Sequence, residues 1–321
     1  MTARARVLTS VIAVTAVLVS GCSDDGSDAP TRSPSSESQR TEATASVPAD
    51  AVVETEETID IGGRSLYVKC WGEPVPGEPT VLLVSGQGPT LSYWEPMAPD
   101  LATEGHHLCG YDRAGIGGSE VPPEDRRTTK DQVADLVAML DAADLNEPLV
   151  VVAHSLGSLP AIGLADQALD RVDGVVFIDP WTPGTSTAQV AALPPKRPHE
   201  PAALVEVREF LTGGFLTDPA QNGEHLLVAV SDEGVLAQLD RPGPLFGDTP
   251  VVVLQAPLPI RAPGIPRSYH LAAKAATVDG NLALAAESTE GRVIEVEDTG
   301  HNIHEDQPDV VMDAIRDVIA R

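Results

Sequence analysis

A chain of 321 residues can bury a sizeable core of its own, which excludes a small scaffold dependent on disulfides or a metal for its fold. Hydrophobic residues are 42% and charged residues 21%, the balance of an ordinary globular protein. Lys and Arg total 21 against 48 Asp and Glu, a net charge of −27; this excludes nucleic acid and an anionic membrane surface as partners, since both need clustered basic residues.

The chain opens on Arg4 and Arg6, then an apolar run from Val7 to Val19 broken only by Thr and Ser, then Val19-Ser20-Gly21-Cys22. A basic start, a short apolar stretch and small residues before a cleavage point predict a secretory signal over residues 1–21. The run is too short to span a bilayer as an ordinary helix. Its small-small-Cys ending resembles the bacterial lipobox, which implies a diacylglycerol on the Cys22 thiol and a membrane partner reached through that anchor. The alternative is a plain signal cut near Gly21, leaving Cys22 as a free thiol. Cleavage removes Arg4 and Arg6 and no acid, leaving 19 basic and 48 acidic residues, a charge of −29. Residues 22–53 are Ser, Thr, Asp, Glu, Pro and Ala with almost nothing to bury, and are expected to be a disordered tether.

From residue 54 to 321 the sequence predicts one α/β domain. Glu57–Ile61 and Ser65–Trp71 read as strands flanking a Gly62-Gly63 turn. Thr80–Val84 is a short apolar run ending in Ser85-Gly86-Gln87-Gly88, the pattern of a strand buried on both faces. A helix is expected between Ser92 and Thr103, a strand over His107–Tyr111, and a helix over Thr128–Ala143 with Val133, Leu136, Val137 and Leu140 on one face. Leu149–Ala153 and Val172–Ile178 read as strands, with a helix from Ser155 to about Gln167 between them. Strands alternating with helices predict a mostly parallel, doubly wound sheet of about eight strands. Between residues 181 and 247 the rhythm lapses into Pro-rich pieces and expected helices at Pro201–Leu211 and Gly223–Leu239, a helical cap insertion. It resumes with Val251–Gln255, a helix near Ser268–Ala286, a strand over Arg292–Val296 and a helix over Pro308–Ile319.

The words that carry chemistry are Val150-Val151-Val152-Ala153-His154-Ser155-Leu156-Gly157. An apolar strand runs into a Ser with small residues two places before and after, then into a helix: a nucleophile elbow, with Ala153 where Gly is commoner. Pro160 is expected to kink that helix slightly. A serine needs a base. His301 follows the last strand and can reach Ser155 from the carboxyl edge of the sheet, and His304 is its rival. His154 adjoins the nucleophile and is expected to point away. For the acid, residues 256–276 contain no Asp or Glu, whereas Asp179 ends strand Val172–Ile178, so Asp179 is selected to orient the imidazole. The oxyanion donors are expected to be the amides of Leu156 and Gln87, with Gly88 second.

These pieces resemble the α/β-hydrolase superfamily from about Glu57 to Arg321. Tyr111-Asp112-Arg113 with Gly115, Gly117 and Ser119 looks like a structural turn of that family, so no chemistry is assigned to it. In that fold the strands bearing Cys70 and Cys109 are sheet neighbours, and the resemblance implies a disulfide between them. Departures are Ser85 where His is frequent and an acid moved back one strand. A Ser nucleophile speaks against the branches that attack with a carboxylate. The expected function is a serine esterase-like hydrolase acting on small or medium acyl substrates through an acyl-enzyme, with no metal or organic cofactor, as a monomer tethered outside the cytoplasm. The alternatives are a tethered binding protein on the same fold and a cofactor-free perhydrolase or lyase.

Overall fold

The computed structural model describes residues 52–257 and 263–321. The expected signal, Cys22 and nearly all of the expected tether lie outside the described residues. Eight strands form one sheet: β1 (Glu54–Asp60), β2 (Ser65–Trp71), β3 (Thr80–Val84), β4 (His107–Tyr111), β5 (Leu149–His154), β6 (Val172–Ile178), β7 (Val251–Gln255) and β8 (Gly291–Glu295). Their order is β1-β2-β4-β3-β5-β6-β7-β8. The β1–β2 and β2–β4 pairs are antiparallel and every other pair is parallel.

The continuous apolar strands have a simple cause. Successive side chains point to opposite faces, and both faces are covered. Leu82, Val84, Val151, Ala153, Val175 and Phe177 face one core with Leu136, Leu140 and Ile162. Their neighbours Val81, Leu83, Val150, Val152, Val176 and Ile178 face a second core with Leu101, Val311 and Ile315. The covering helices are α1 (Ala98–Thr103), α2 (Thr129–Ala142), α3 (Ser158–Ala168) and α10 (Pro308–Ile319); α4 (Thr185–Ala192), α5 (Ala202–Thr212), α6 (Gly214–Thr217), α7 (Val228–Leu239), α8 (Arg267–Ala285) and α9 (Ile303–Asp306) complete the domain. The reversal of strand order falls between β3 and β5. In an open α/β sheet this is where a crevice opens beyond the strand carboxyl ends.

Three local expectations are corrected. The helix expected between Ser92 and Thr103 is a short 3₁₀ turn, Leu91–Trp94, followed by α1. Pro96 and Pro99 forbid one continuous helix, because each lacks an amide and restricts the residue before it. The helix expected from Gly223 begins only at Val228, because residues 225–227 instead pair with Arg127: Arg127 N–H donates to His225 O (2.8 Å) and Leu227 N–H to Arg127 O (2.8 Å). Pro160 needs no kink, since α3 starts at Ser158 and its first-turn amides have no partner within the helix. Among the described residues no helix is long and apolar enough to cross a membrane.

Candidate active site

The elbow is built by backbone sterics. β5 delivers Ser155 in the left-handed region, φ 51°, a conformation that costs a non-glycine residue about 1–2 kcal/mol and persists only where its surroundings enforce it. The enforcement is visible. Trp181 N–H donates to Ser155 O (3.0 Å) and Ser158 Oγ donates to Trp181 O (2.6 Å), tying the turn to the chain after β6. A Cβ on Gly157 would lie 2.6 Å from both Val84 O and Ser85 O, so only glycine lets the helix start so close to β3. Ala153 is fully buried.

Asp179 follows β6, also at positive φ (39°). Its amide donates to Leu254 O (2.7 Å), and its Oδ1 accepts from Ala256 N–H (3.1 Å). Its Oδ2 accepts from His301 Nδ1 at 2.6 Å. A carboxylate partner fixes Nδ1 as the protonated nitrogen and leaves Nε2 free to take a proton. The loop carrying His301 is held in turn by Asp306, whose Oδ2 accepts from Gly300 N–H (2.8 Å) and Thr299 Oγ (3.1 Å).

Ser155, Asp179 and His301 line one cavity of about 370 Å³. Trp181, Thr185, Ser186, Gln189 and Phe210 from the insertion supply much of the remaining wall, with Thr277 of α8. Among the described residues no hydrogen bond joins Ser155 Oγ to His301, a contact that commonly tightens only when substrate is bound. Leu156 N–H belongs to the first turn after the elbow and so lacks a helical acceptor. Gln87 N–H makes no backbone hydrogen bond among the described residues, and both polar atoms of the Gln87 side chain are buried without a partner. Ser85, standing where His is frequent, accepts from Trp94 Nε1 through its hydroxyl (2.9 Å).

Two residues in contact with these segments were not assigned to the site from the sequence. His154 turns toward the loop that carries His301: its ring lies 4.6 Å from that of His301, and its Nε2 donates to His301 O (3.0 Å). Burial, then the neighbouring His301 and His304, hold its pKa well below the ordinary value. His304 packs against His154, Tyr93 and Trp94, and burial first, then His301, lowers it to about 4. Both rings are therefore neutral near pH 7. The second missed residue is Arg113, from the turn read as structural only. It donates to the carbonyls of Ser85 and Gly86 on the loop after β3. Neither contact has a local sequence signal, because each joins segments far apart in the chain.

Away from this site, Cys70 and Cys109 are direct partners across β2 and β4, with sulfurs 2.09 Å apart.

The model of the "Alpha/beta hydrolase family" matches residues 81–314. The chain belongs to this family. With the family comes the coarse assignment, a hydrolase. The YqjL protein of Bacillus subtilis is 26% identical over 239 residues, 74% of this chain and 83% of that protein. RutD of Variovorax paradoxus, named as a carbamate hydrolase, is 33% identical over 109 residues, which is 34% of this chain and only 40% of RutD. Among solved structures, the 2-hydroxy-6-oxo-6-phenylhexa-2,4-dienoate hydrolase BphD from Rhodococcus superposes with a TM-score of 0.56 at 17% identity, covering 84% of this chain and all of that one. At that identity the likeness concerns the fold alone.

Proposed function

We propose that this α/β-hydrolase cleaves carboxylic esters, or related acyl bonds, through a covalent acyl-enzyme on Ser155. The observation that carries the reading is the 2.6 Å contact between His301 Nδ1 and Asp179 Oδ2 at the wall of the cavity that Ser155 enters from its strained turn. In this reading Ser155 Oγ attacks the acyl carbonyl while His301 Nε2 takes its proton. The Leu156 and Gln87 amides hold the oxyanion, and the imidazolium, stabilised by Asp179, then protonates the departing alcohol. Water enters by the same base and releases the acid. No step requires a metal or organic cofactor. The cavity wall is neutral apart from the triad itself, with hydroxyls, one amide and two aromatic rings, which favours small uncharged acyl compounds.

The basic-apolar-Cys start of the chain supports export and lipidation at Cys22, with the domain standing off the membrane on its tether; the paired cysteines suit that oxidising compartment as a Cys70–Cys109 disulfide. The test is a panel of p-nitrophenyl esters, lactones, carbamates and amides given to wild type and Ser155→Ala. Ester turnover lost by at least a thousandfold in the variant is expected. Turnover that survives the substitution, or no turnover of any acyl compound by folded wild type, overturns the reading.

A further inference from the structure

We propose that Arg113 and Glu224 position the oxyanion loop, so that the insertion completes the catalytic site as well as covering it. This rests on the serine hydrolase reading. Arg113 is 6% exposed and Glu224 1%. The guanidinium is used on two sides at once. Toward the insertion, its Nε donates to Glu224 Oε2 (2.7 Å) and its Nη2 to Glu224 Oε1 (2.8 Å), a two-point grip that fixes the guanidinium plane. Toward the sheet, Nη1 donates to Ser85 O and Nη2 to Gly86 O (2.7 Å). Gln132 Nε2 on α2 donates to the same Glu224 carboxylate (2.8 Å).

The consequence follows from peptide planarity. Gly86 C=O and Gln87 N–H belong to one rigid trans peptide, in which carbonyl and amide point in opposite directions. Holding Gly86 O on Arg113 therefore aims Gln87 N–H away from Arg113. Gly86 itself lies against the nucleophile, for a Cβ built on it would be 3.2 Å from Ser155 Cβ. The next amide is thus presented beside Ser155 in a fixed orientation.

The segment that brings Glu224 is clamped to the body of the domain. A Cβ on Gly115 would meet Gly223 O at 1.9 Å, and one on Gly223 would meet Gly115 O at 2.6 Å, so a glycine pair alone allows this approach. Next to it the Arg127–Leu226 bridge stitches the segment to the chain ahead of α2. Without Glu224, Arg113 would be a buried charge without its partner, and its hold on the two carbonyls would loosen.

The experiment uses Arg113→Lys, which keeps charge and loses the fork, Glu224→Gln, and the double variant Arg113→Met with Glu224→Met, which removes both charges and keeps volume. Each is measured for thermal unfolding, for kcat and KM on a p-nitrophenyl ester, and for the rate of Ser155 phosphonylation by a fluorophosphonate. A positioning role predicts kcat and phosphonylation down roughly ten- to a hundredfold, KM within about twofold, and the double variant as slow as the singles despite a recovered Tm. If a single variant does not fold, the double variant carries the comparison. Folded variants with kcat within about twofold of wild type overturn the proposal, as does activity that recovers with Tm in the double variant. Wild type that neither turns over nor labels at Ser155 defeats the hydrolase reading, and the positioning claim falls with it.

Discussion

Replacing Asp179 by Asn leaves the shape of the site intact and inverts one hydrogen bond. Asp179 Oδ1 accepts from Ala256 N–H, so the carbonyl oxygen of an Asn would take that place and its NH₂ would face His301 Nδ1. An NH₂ can only donate there, so Nδ1 must become the acceptor and the ring proton moves to Nε2. The nitrogen that should take the Ser155 proton is then already protonated. The loss expected from a wrong tautomer together with a missing counter-charge is about 10³–10⁴-fold in kcat, or about 4–5.5 kcal/mol in the barrier. The assay is steady-state ester turnover by Asp179→Asn beside Asp179→Glu and wild type, with circular dichroism to show that the fold survives. A folded Asp179→Asn protein retaining more than about a tenth of wild-type kcat would refute the assignment of Asp179.

Further expectations concern the frame around the triad. Gly157→Val should destabilise the domain by at least about 2 kcal/mol in urea unfolding, because the new side chain meets two backbone carbonyls that cannot step aside. His304, ordinarily 6.5 and held at about 4 by burial, takes up its proton on unfolding at pH values between the two. Its contribution is therefore fully present above about pH 6.5 and is lost as pH falls toward 4, by about 3 kcal/mol. Replacement by Phe should flatten the fall of Tm over that window, and an unchanged profile would contradict it. The Cys70–Cys109 pair encloses a separation of 39 residues, for which chain entropy gives about 4 kcal/mol. Reduction should lower stability by that order, and intact mass should rise by two hydrogens.

The parallel strands were legible because a strand covered on both faces must be apolar along its middle, as Val81–Val84 and Val251–Leu254 are. Ser155 was legible for a related reason: a turn this tight admits only small neighbours, and Ala153 and Gly157 advertise it. Asp179 emerged by elimination, since the stretch after β7 carries no carboxylate until Asp279. The helix expected between Ser92 and Thr103 is instead a 3₁₀ turn followed by α1 because Pro96 and Pro99 interrupt it. The start of α7 was misjudged because Arg127, about a hundred residues earlier, recruits residues 225–227 into a bridge. The contacts of His154 with His301 O and of Arg113 with the carbonyls of Ser85 and Gly86 were not legible, because these acceptors are backbone atoms. Any residue type can supply a carbonyl, so no pattern of side chains announces such a contact.

The central claim is a covalent one, that the hydroxyl on the turn after β5 carries the acyl group. It is tested most directly by acid-quenching the enzyme during turnover of a slow p-nitrophenyl ester and mapping the added mass by peptide mass spectrometry. One acyl group on the peptide containing Ser155, gone in Ser155→Ala, is the predicted result. An acyl group on another residue, or steady product release with no acylated enzyme even when deacylation is made slow, would contradict it.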